Sequence, residues 1–342
     1  MEADSTTQDS NSKELTNEPH LPFIVRTGNF KLYKDLTDQT SEKPLEIQII
    51  ERLQSYSLLP GKVICPSNKS SCSVIWKTAR VIDRAQWVCE GCGKRQPIRI
   101  GSFFFKLQCS ILQTLQLILA WCEDADINIA AQHFSVKHKI ASQIFDRLDD
   151  LAITEQSKCL LGGENSVVLA EMYPDCLNRF SPDTTDQPHV HRIMMMADTK
   201  HIPTHYCLHV LKEDSRKSKT INIEALKLEV EQIISGCVKQ NSMVVTGNNL
   251  PSIEGTSSIH KLVQHCDADM QHFLTTRIWR QAVTVCSASR DLCGSAPAAA
   301  SSCASLVQRY LNTGLYRLRY GDGFYHHILN LIAEQFTEKQ ND

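Results

Sequence analysis

The sequence predicts a mixed α/β chain, with a helical front half that carries a cysteine ribbon and a back half built on a sheet. Three observations carry this prediction. Apolar residues recur at helical spacing through much of the stretch from Leu45 to Leu151; Cys65, Cys72, Cys89 and Cys92 interrupt it beside short strand-forming runs; and beyond Gly162-Gly163 apolar strand-like runs surround one helical stretch. At 342 residues, with 42% hydrophobic and 22% charged residues, the chain has room for two ordinary globular domains. The 14 cysteines are scattered and no apolar signal segment opens the chain, which points to a reducing compartment and away from secretion. The most apolar stretch, Ile111 to Cys122, is shorter than the roughly 18 residues a bilayer span requires, so no membrane role is expected.

Residues 1 to 20 are mostly Ser, Thr, Asn, Asp and Glu, and 1–44 is read as a disordered or weakly ordered tail. Ile47, Ile50, Leu53 and Leu58 suit a helix that starts at Leu45 and stops before Pro60-Gly61, and short strands follow at Ser73 to Trp76 and Gln86 to Cys89. Together these make a module over 45–106. Residues 107–158 form a helical region: a buried helix over Leu107 to Trp121, then two helices separated by a short turn, with Ser135 as the cap of the second. If that pair is a helix-turn-helix, Lys137, His138 and Lys139 begin its recognition helix; any helical hairpin would look similar. In 159–338, strands are expected at Ser166 to Ala170, His191 to Ala197, His205 to Leu211 and Met243 to Thr246. Helices are expected at Ile223 to Ile234 and Phe324 to Phe336.

Charge is uneven along the chain. Residues 61 to 110 hold nine Lys and Arg (Lys62, Lys69, Lys77, Arg80, Arg84, Lys94, Arg95, Arg99, Lys106) against Asp83 and Glu90. Such an island can face phosphates or simply be a solvated surface.

Cys89-Glu90-Gly91-Cys92 has the spacing of a zinc knuckle, because two thiolates separated by two residues reach one tetrahedral ion and a Gly permits the turn. The first half is less regular. Asn68 stands where a second knuckle cysteine is usual, so Cys72 has to come from a longer loop. Bound by all four cysteines, Zn2+ would be structural, with no open position for water; the alternative is a ribbon of unmetallated thiols.

In their order, several motifs resemble Merlin-type transposases and their bacterial insertion-sequence relatives. They are Cys65-Pro66, Trp87-Val88-Cys89-Glu90-Gly91-Cys92, Ile98-Arg99-Ile100-Gly101-Ser102-Phe103-Phe104, a buried helix ending in Trp121, the helix pair and Gly162-Gly163-Glu164-Asn165. Arg317-Leu318-Arg319-Tyr320-Gly321 with Phe324 and Ile328 to Ala333 is similar to that family's closing segment. The resemblance implies an N-terminal zinc-ribbon-like and helix-turn-helix region followed by a ribonuclease-H-like mixed α/β domain. It also implies a double-stranded DNA partner, a homo-oligomer, and residence in the nucleus if the source is eukaryotic or in the cytoplasm otherwise. Lys94, Arg95, Arg99, Lys137, His138 and Lys139 are the candidate DNA contacts.

Members of that family cleave DNA with three carboxylates that hold two divalent ions, Mg2+ or Mn2+. Here Val168-Leu169-Ala170-Glu171-Met172 aligns with the first acid, leaving Glu171, one methylene longer than Asp, as the one survivor. Val245-Thr246-Gly247-Asn248 puts Gly247 at the second. Thr275-Thr276-Arg277-Ile278-Trp279 offers Trp279 or Thr276 at the third, neither a carboxylate. Asp267, Asp269 and Glu254 are nearby in sequence, but nothing there positions them. The expectation is therefore a transposase-derived DNA-binding protein without nuclease activity. The alternatives are an active transposase with a rearranged metal site, a protein-interaction scaffold, or a relic without a role.

Other features read plainly. His189, His191, His201, His205 and His209 are taken as scattered, Met194-Met195-Met196 as a buried strand, Cys266, Cys286, Cys293 and Cys303 as ordinary buried thiols, and Asp198 as a turn residue.

Overall fold

The computed structural model describes residues 21–67, 72–174, 191–212, 223–293 and 300–341. Its elements, in chain order, are α1 (Thr27–Thr37), α2 (Leu45–Ser55), β1 (Val74–Thr78), β2 (Ala85–Cys89), β3 (Arg95–Pro97), α3 (Ile111–Cys122), α4 (Ile127–His133) and α5 (His138–Ser157) in the front half. The back half contains β4 (Val167–Tyr173), β5 (Ile193–Asp198), β6 (His205–Val210), α6 (Ile223–Cys237), β7 (Met243–Thr246), β8 (Ser257–Ser258), α7 (Ile259–Val263), α8 (Ala268–Thr275), α9 (Arg280–Ala288), α10 (Ala300–Tyr320) and α11 (Phe324–Asn341). The α/β expectation therefore holds at the level of class. No helix among the described residues is long and apolar enough to cross a membrane.

β1, β2 and β3 form a small antiparallel sheet, with Trp76 opposite Trp87 and Trp87 opposite Gln96. The Trp87 indole N–H donates to the Ile98 carbonyl at 3.2 Å, pinning the ribbon to the chain that leaves it. α3 is apolar on nearly every side and begins with a reciprocal cap, in which Ser110 and Gln113 each satisfy the other's backbone N–H. α4 begins at Asp126, whose carboxylate accepts the N–H groups of Asn128 and Ile129. The second helix of the pair does not begin as expected. Lys137 is the N-cap residue of α5, without a side-chain bond, while Ser135 sits in the turn with a left-handed φ of 54°. The turn needs a residue there to reverse the chain, and that conformation is incompatible with capping.

The module boundaries expected at 44 and 106 do not correspond to separate cores, whereas the one near 158 separates the front cluster, which runs to Ala152, from the sheet clusters that begin at Leu161. Tyr33 and Leu36 of α1, Ile50 and Leu53 of α2, Trp87 and Ile98 of the ribbon, Trp121 of α3, Ile144 of α5 and Tyr325 of α11 are buried in one cluster. The tail expected over 1–44 is consequently corrected for α1. Its Tyr33 and Leu36 find apolar cover that a local reading of the sequence cannot foresee. Residues 1–20 lie outside the described residues. The closing helix is likewise assigned to the front core, so the last expected domain, 159–338, loses α11 to it.

The large sheet has the order β6-β5-β4-β7-β8. Its β6, β5 and β4 are antiparallel, and β7 and β8 run parallel to β4. Both of its faces are covered, which explains why Met194, Met195 and Met196 are all fully buried. Val168, Ala170, Met172, Met194 and Met196 pack with Val230 and Ile233 of α6. Leu169, Tyr173, Met195 and Leu208 pack with Trp279, Val283, Val307 and Leu311. Gln308 of α10 covers the β6 edge, accepting the Val210 N–H at 2.7 Å and donating to the Leu208 carbonyl at 2.8 Å.

Arg99 is 4% exposed and corrects its expected phosphate contact. Its guanidinium is paired with Asp83 on two sides and donates to the carbonyls of Phe104, Leu107 and Cys109. A planar fork of N–H groups is consumed holding the loop between the ribbon and α3. Arg99→Ala leaves Asp83 buried without its cation, and the expected loss is about 3–5 kcal/mol in urea unfolding of the full chain. A loss below about 1 kcal/mol would return Arg99 to the surface.

Candidate metal centre and nucleic-acid interface

The two cysteine pairs come from opposite sides of the ribbon. Cys89 ends β2 and Cys92 follows in the turn to β3, while Cys65 and Cys72 both precede β1; residues 68–71, Asn68 among them, lie outside the described residues. The antiparallel register places Val74 opposite Cys89, and the Glu90 N–H donates to the Ser73 carbonyl at 2.8 Å, which draws Cys72 toward the knuckle. The Gln96 side chain donates to the Ile64 carbonyl at 3.1 Å and holds Cys65 from the other side. Within the knuckle, the left-handed φ of 72° falls on Gly93, one residue beyond the cysteines; Gly91 does not supply it.

All four sulfur atoms lie within 4.8 Å of one another, and Cys65 Sγ is 3.4 Å from Cys92 Sγ. Sulfurs at about 2.3 Å from a tetrahedral zinc ion form edges of roughly 3.8 Å, so the four positions suit such a metal. The donor set is all soft thiolate, two residues are buried, and Cys92 opens to the surface. The Cys92 thiol is pulled down to about 6, first by the Lys94 backbone N–H, then by Ser67 and by the neighbouring cysteines. Among the described residues this is the one group of three or more His, Cys, Asp and Glu side chains that could hold a metal ion.

The expected nuclease position is different in kind. Glu171 lies on β4 and Gly247 follows β7, its N–H donating to the Ala170 carbonyl at 2.8 Å, so the two stand side by side. A Cβ placed on Gly247 would come within 1.8 Å of Glu171 Oε2. The Glu171 carboxylate therefore occupies the space where a second acid would project, and it accepts the Met172 N–H at 2.9 Å. Asp267 caps α8 through the Met270 N–H, and Trp279 is buried against the sheet. Asp269 and Glu254 are exposed.

At the far end of the sheet, Asp198 is fully buried and is more than a turn residue. Burial would raise its carboxyl, but the N–H groups of Lys200 and Gly162 and the His201 ring outweigh it and hold it low. His201 and His205 stack at 4.1 Å, and His189 lies outside the described residues. Residue type alone gave no signal of this buried group. The spacing of Cys207 and Cys237, whose sulfurs meet at 3.0 Å, likewise carried no motif.

Of the expected DNA contacts, Lys94 and Arg95 are exposed on the ribbon, and Lys137, His138 and Lys139 are exposed where α5 begins. α5 packs against α3 and α4, so these three groups are presented on a supported helix. The basic island is weaker than its count. Arg99 is buried, Arg84 meets Glu46 at 3.1 Å, Lys77 meets Glu90 at 3.5 Å, and Lys69 lies outside the described residues. Lys62, Arg80 and Lys106 remain exposed.

Comparison of the chain with protein-family models, with curated proteins and with solved structures found no match.

Two measurements follow from these geometries. Elemental analysis of the purified chain should give about one metal ion per molecule, and Cys89→Ser should remove it; metal retained in that variant would place the ion elsewhere. Gly247→Ala should cost about 1 kcal/mol by displacing Glu171 from its backbone partner, and the cost should vanish in a Glu171→Ala background. Additive effects of the two substitutions would show that their side chains do not compete.

Proposed function

We propose that this chain is a transposase-derived protein that binds double-stranded DNA through its helical front half, carries a structural zinc ion in its ribbon, and does not cut the DNA it binds. The observation that carries this reading is the exposure of Lys137, His138 and Lys139 at the start of α5, immediately after a short turn from α4. In a helix-turn-helix, this is the end of the recognition helix that enters the major groove. A helix start also presents free backbone N–H groups and a positive dipole end, both of which favour phosphate. Lys94 and Arg95 on the ribbon add sequence-independent attraction to the backbone.

The back half supports the same origin. Counted from β4, its strands lie in the order 3-2-1-4-5 with the first three antiparallel. This is the arrangement a ribonuclease-H-like domain requires. Glu171 falls on the strand that would carry its first acid, and the second position is Gly247. Two-metal cleavage needs ligands that place both ions beside one phosphodiester, and a single carboxylate over a glycine does not supply them.

Duplex DNA binding measured across a salt series tests the reading directly. Affinity should fall steeply as salt rises, the strands should remain intact with Mn2+ added, and Lys137→Ala combined with Lys139→Ala should lower the salt slope by about 2. Manganese-dependent nicks lost in Glu171→Ala would instead establish an active enzyme with a rearranged site, and no binding at low salt would favour an interaction scaffold.

A further inference from the structure

The junction between the two halves of the molecule holds a second set of cysteines, unrelated to the metal cluster. Cys159 follows α5, Cys207 lies on β6, and Cys237 is the last residue of α6. The segment after α5 is joined to the end of α6 by two backbone bonds: the Leu161 N–H donates to the Cys237 carbonyl at 2.8 Å, and the Lys239 N–H donates to the Leu161 carbonyl at 2.9 Å. All three cysteines line a cavity of about 550 Å³ between α5, β6, α6 and α10, together with Glu229, Gln308 and Asn312. All three residues are partly exposed, and the cavity they line is the route by which a small solute would approach them.

Cys207 Sγ and Cys237 Sγ are 3.0 Å apart. Two sulfurs in van der Waals contact without a bond usually stand farther apart, and a disulfide needs about 2.05 Å, so roughly 1 Å of closure separates the two states. We propose that Cys207 and Cys237 form a peroxide-responsive dithiol, oxidised within the cavity to a disulfide that joins β6 to the end of α6.

The Cys207 thiol donates its hydrogen to Cys237 Sγ, which makes Cys237 the attacking sulfur. The contact favours the Cys237 thiolate and, with burial, pushes the Cys207 thiol up. In the first step, Cys237 thiolate attacks one oxygen of a hydroperoxide. The O–O bond breaks, Cys237 becomes a sulfenic acid, and hydroxide or alkoxide leaves and takes up a proton. In the second step, Cys207 sulfur attacks the Cys237 sulfur. The S–S bond forms, the S–O bond breaks, and the departing hydroxide leaves as water with the Cys207 proton. With hydrogen peroxide, two thiols lose two electrons and the peroxide is reduced to two waters. Glu229 and Lys212, whose N–H donates to the Glu229 carboxylate at 3.0 Å, line the same cavity but take no part in this electron balance.

Trypsin isolates the two cysteines on peptides 201–212 and 228–239, each with no other cysteine. The test treats reduced, full-length, metal-loaded protein with stoichiometric hydrogen peroxide, alkylates it, digests it without reductant and maps the peptides by mass spectrometry. The expected result is loss of the two alkylated peptides and appearance of one species that joins them, restored to separate peptides by dithiothreitol. In Cys207→Ala, Cys237 should be trapped as a sulfenic acid that dimedone labels, and in Cys159→Ala the joined species should persist. Both peptides remaining fully alkylated after peroxide would overturn the proposal. So would peroxide forming disulfides at other cysteines while 201–212 and 228–239 stay separate, an outcome readable in the wild-type chain even if a variant fails to fold.

Discussion

The indole of Trp121 is the point at which the halves of this protein become one structure. It sits at the end of α3, 1% exposed, with Phe324 stacked on it at 5.5 Å and the Arg317 guanidinium 4.7 Å from its ring centre. Its N–H donates to Asp149 of α5 at 2.8 Å, and its carbonyl accepts from Arg317 at 3.1 Å. One side chain thereby fixes the angle between α3 and α5 and receives the turn from α10 into α11. A buried Trp offers the largest apolar area of any residue, and the cation above its face adds attraction that Lys would supply less well. Arg309 extends the seam, donating to Asp149 and Asp150 on the flank of α5.

This seam explains the closing motif in physical terms. Arg317, Tyr320 and Phe324 are spaced to meet Trp121 and His327 from one side, and Tyr316 closes the cluster by bonding to His327. The segment Arg317 to Phe324, at the end of α10, is thus a docking surface for the helical half. The candidate catalytic position shows the reverse. Its neighbours on β4 and β7 are packed as a sheet should be, and the Glu171 carboxylate fills the space that Gly247, lacking a side chain, leaves open.

How much was legible in the sequence follows from how far each signal reaches. α2, α3, the α4 to α5 pair and β4 to β7 declared themselves because apolar periodicity is local, and the cysteine cluster did so because Cys89 and Cys92 stand close together in one knuckle, with two residues between them. α1 was missed because its stripe of Tyr33 and Leu36 is narrow and meaningful only against helices distant in sequence. α10 was hidden for a similar reason. Its early turns are Ala, Ser and Cys, and its role depends on Gln308 reaching the exposed edge of β6. Arg99 was misjudged because a basic residue in a basic stretch looks like surface until its partner Asp83 is placed beside it. The buried Asp198 and the Cys207 to Cys237 contact are long-range meetings that no spacing rule encodes.

The two ends of the described chain lie together. Asn29 of α1 accepts the Tyr325 N–H at 3.0 Å and donates to Glu123 at 2.7 Å, while the Gly28 N–H donates to Asp322 at 3.1 Å. On a ribosome, where the chain emerges from its beginning, α1 to α5 therefore spend the whole synthesis of the sheet with one wall of their core open. The Trp121 end of α3 receives its final cover only when Phe324 arrives. A nascent chain can acquire its ribbon early, but its helical half is completed only when α11 has been made.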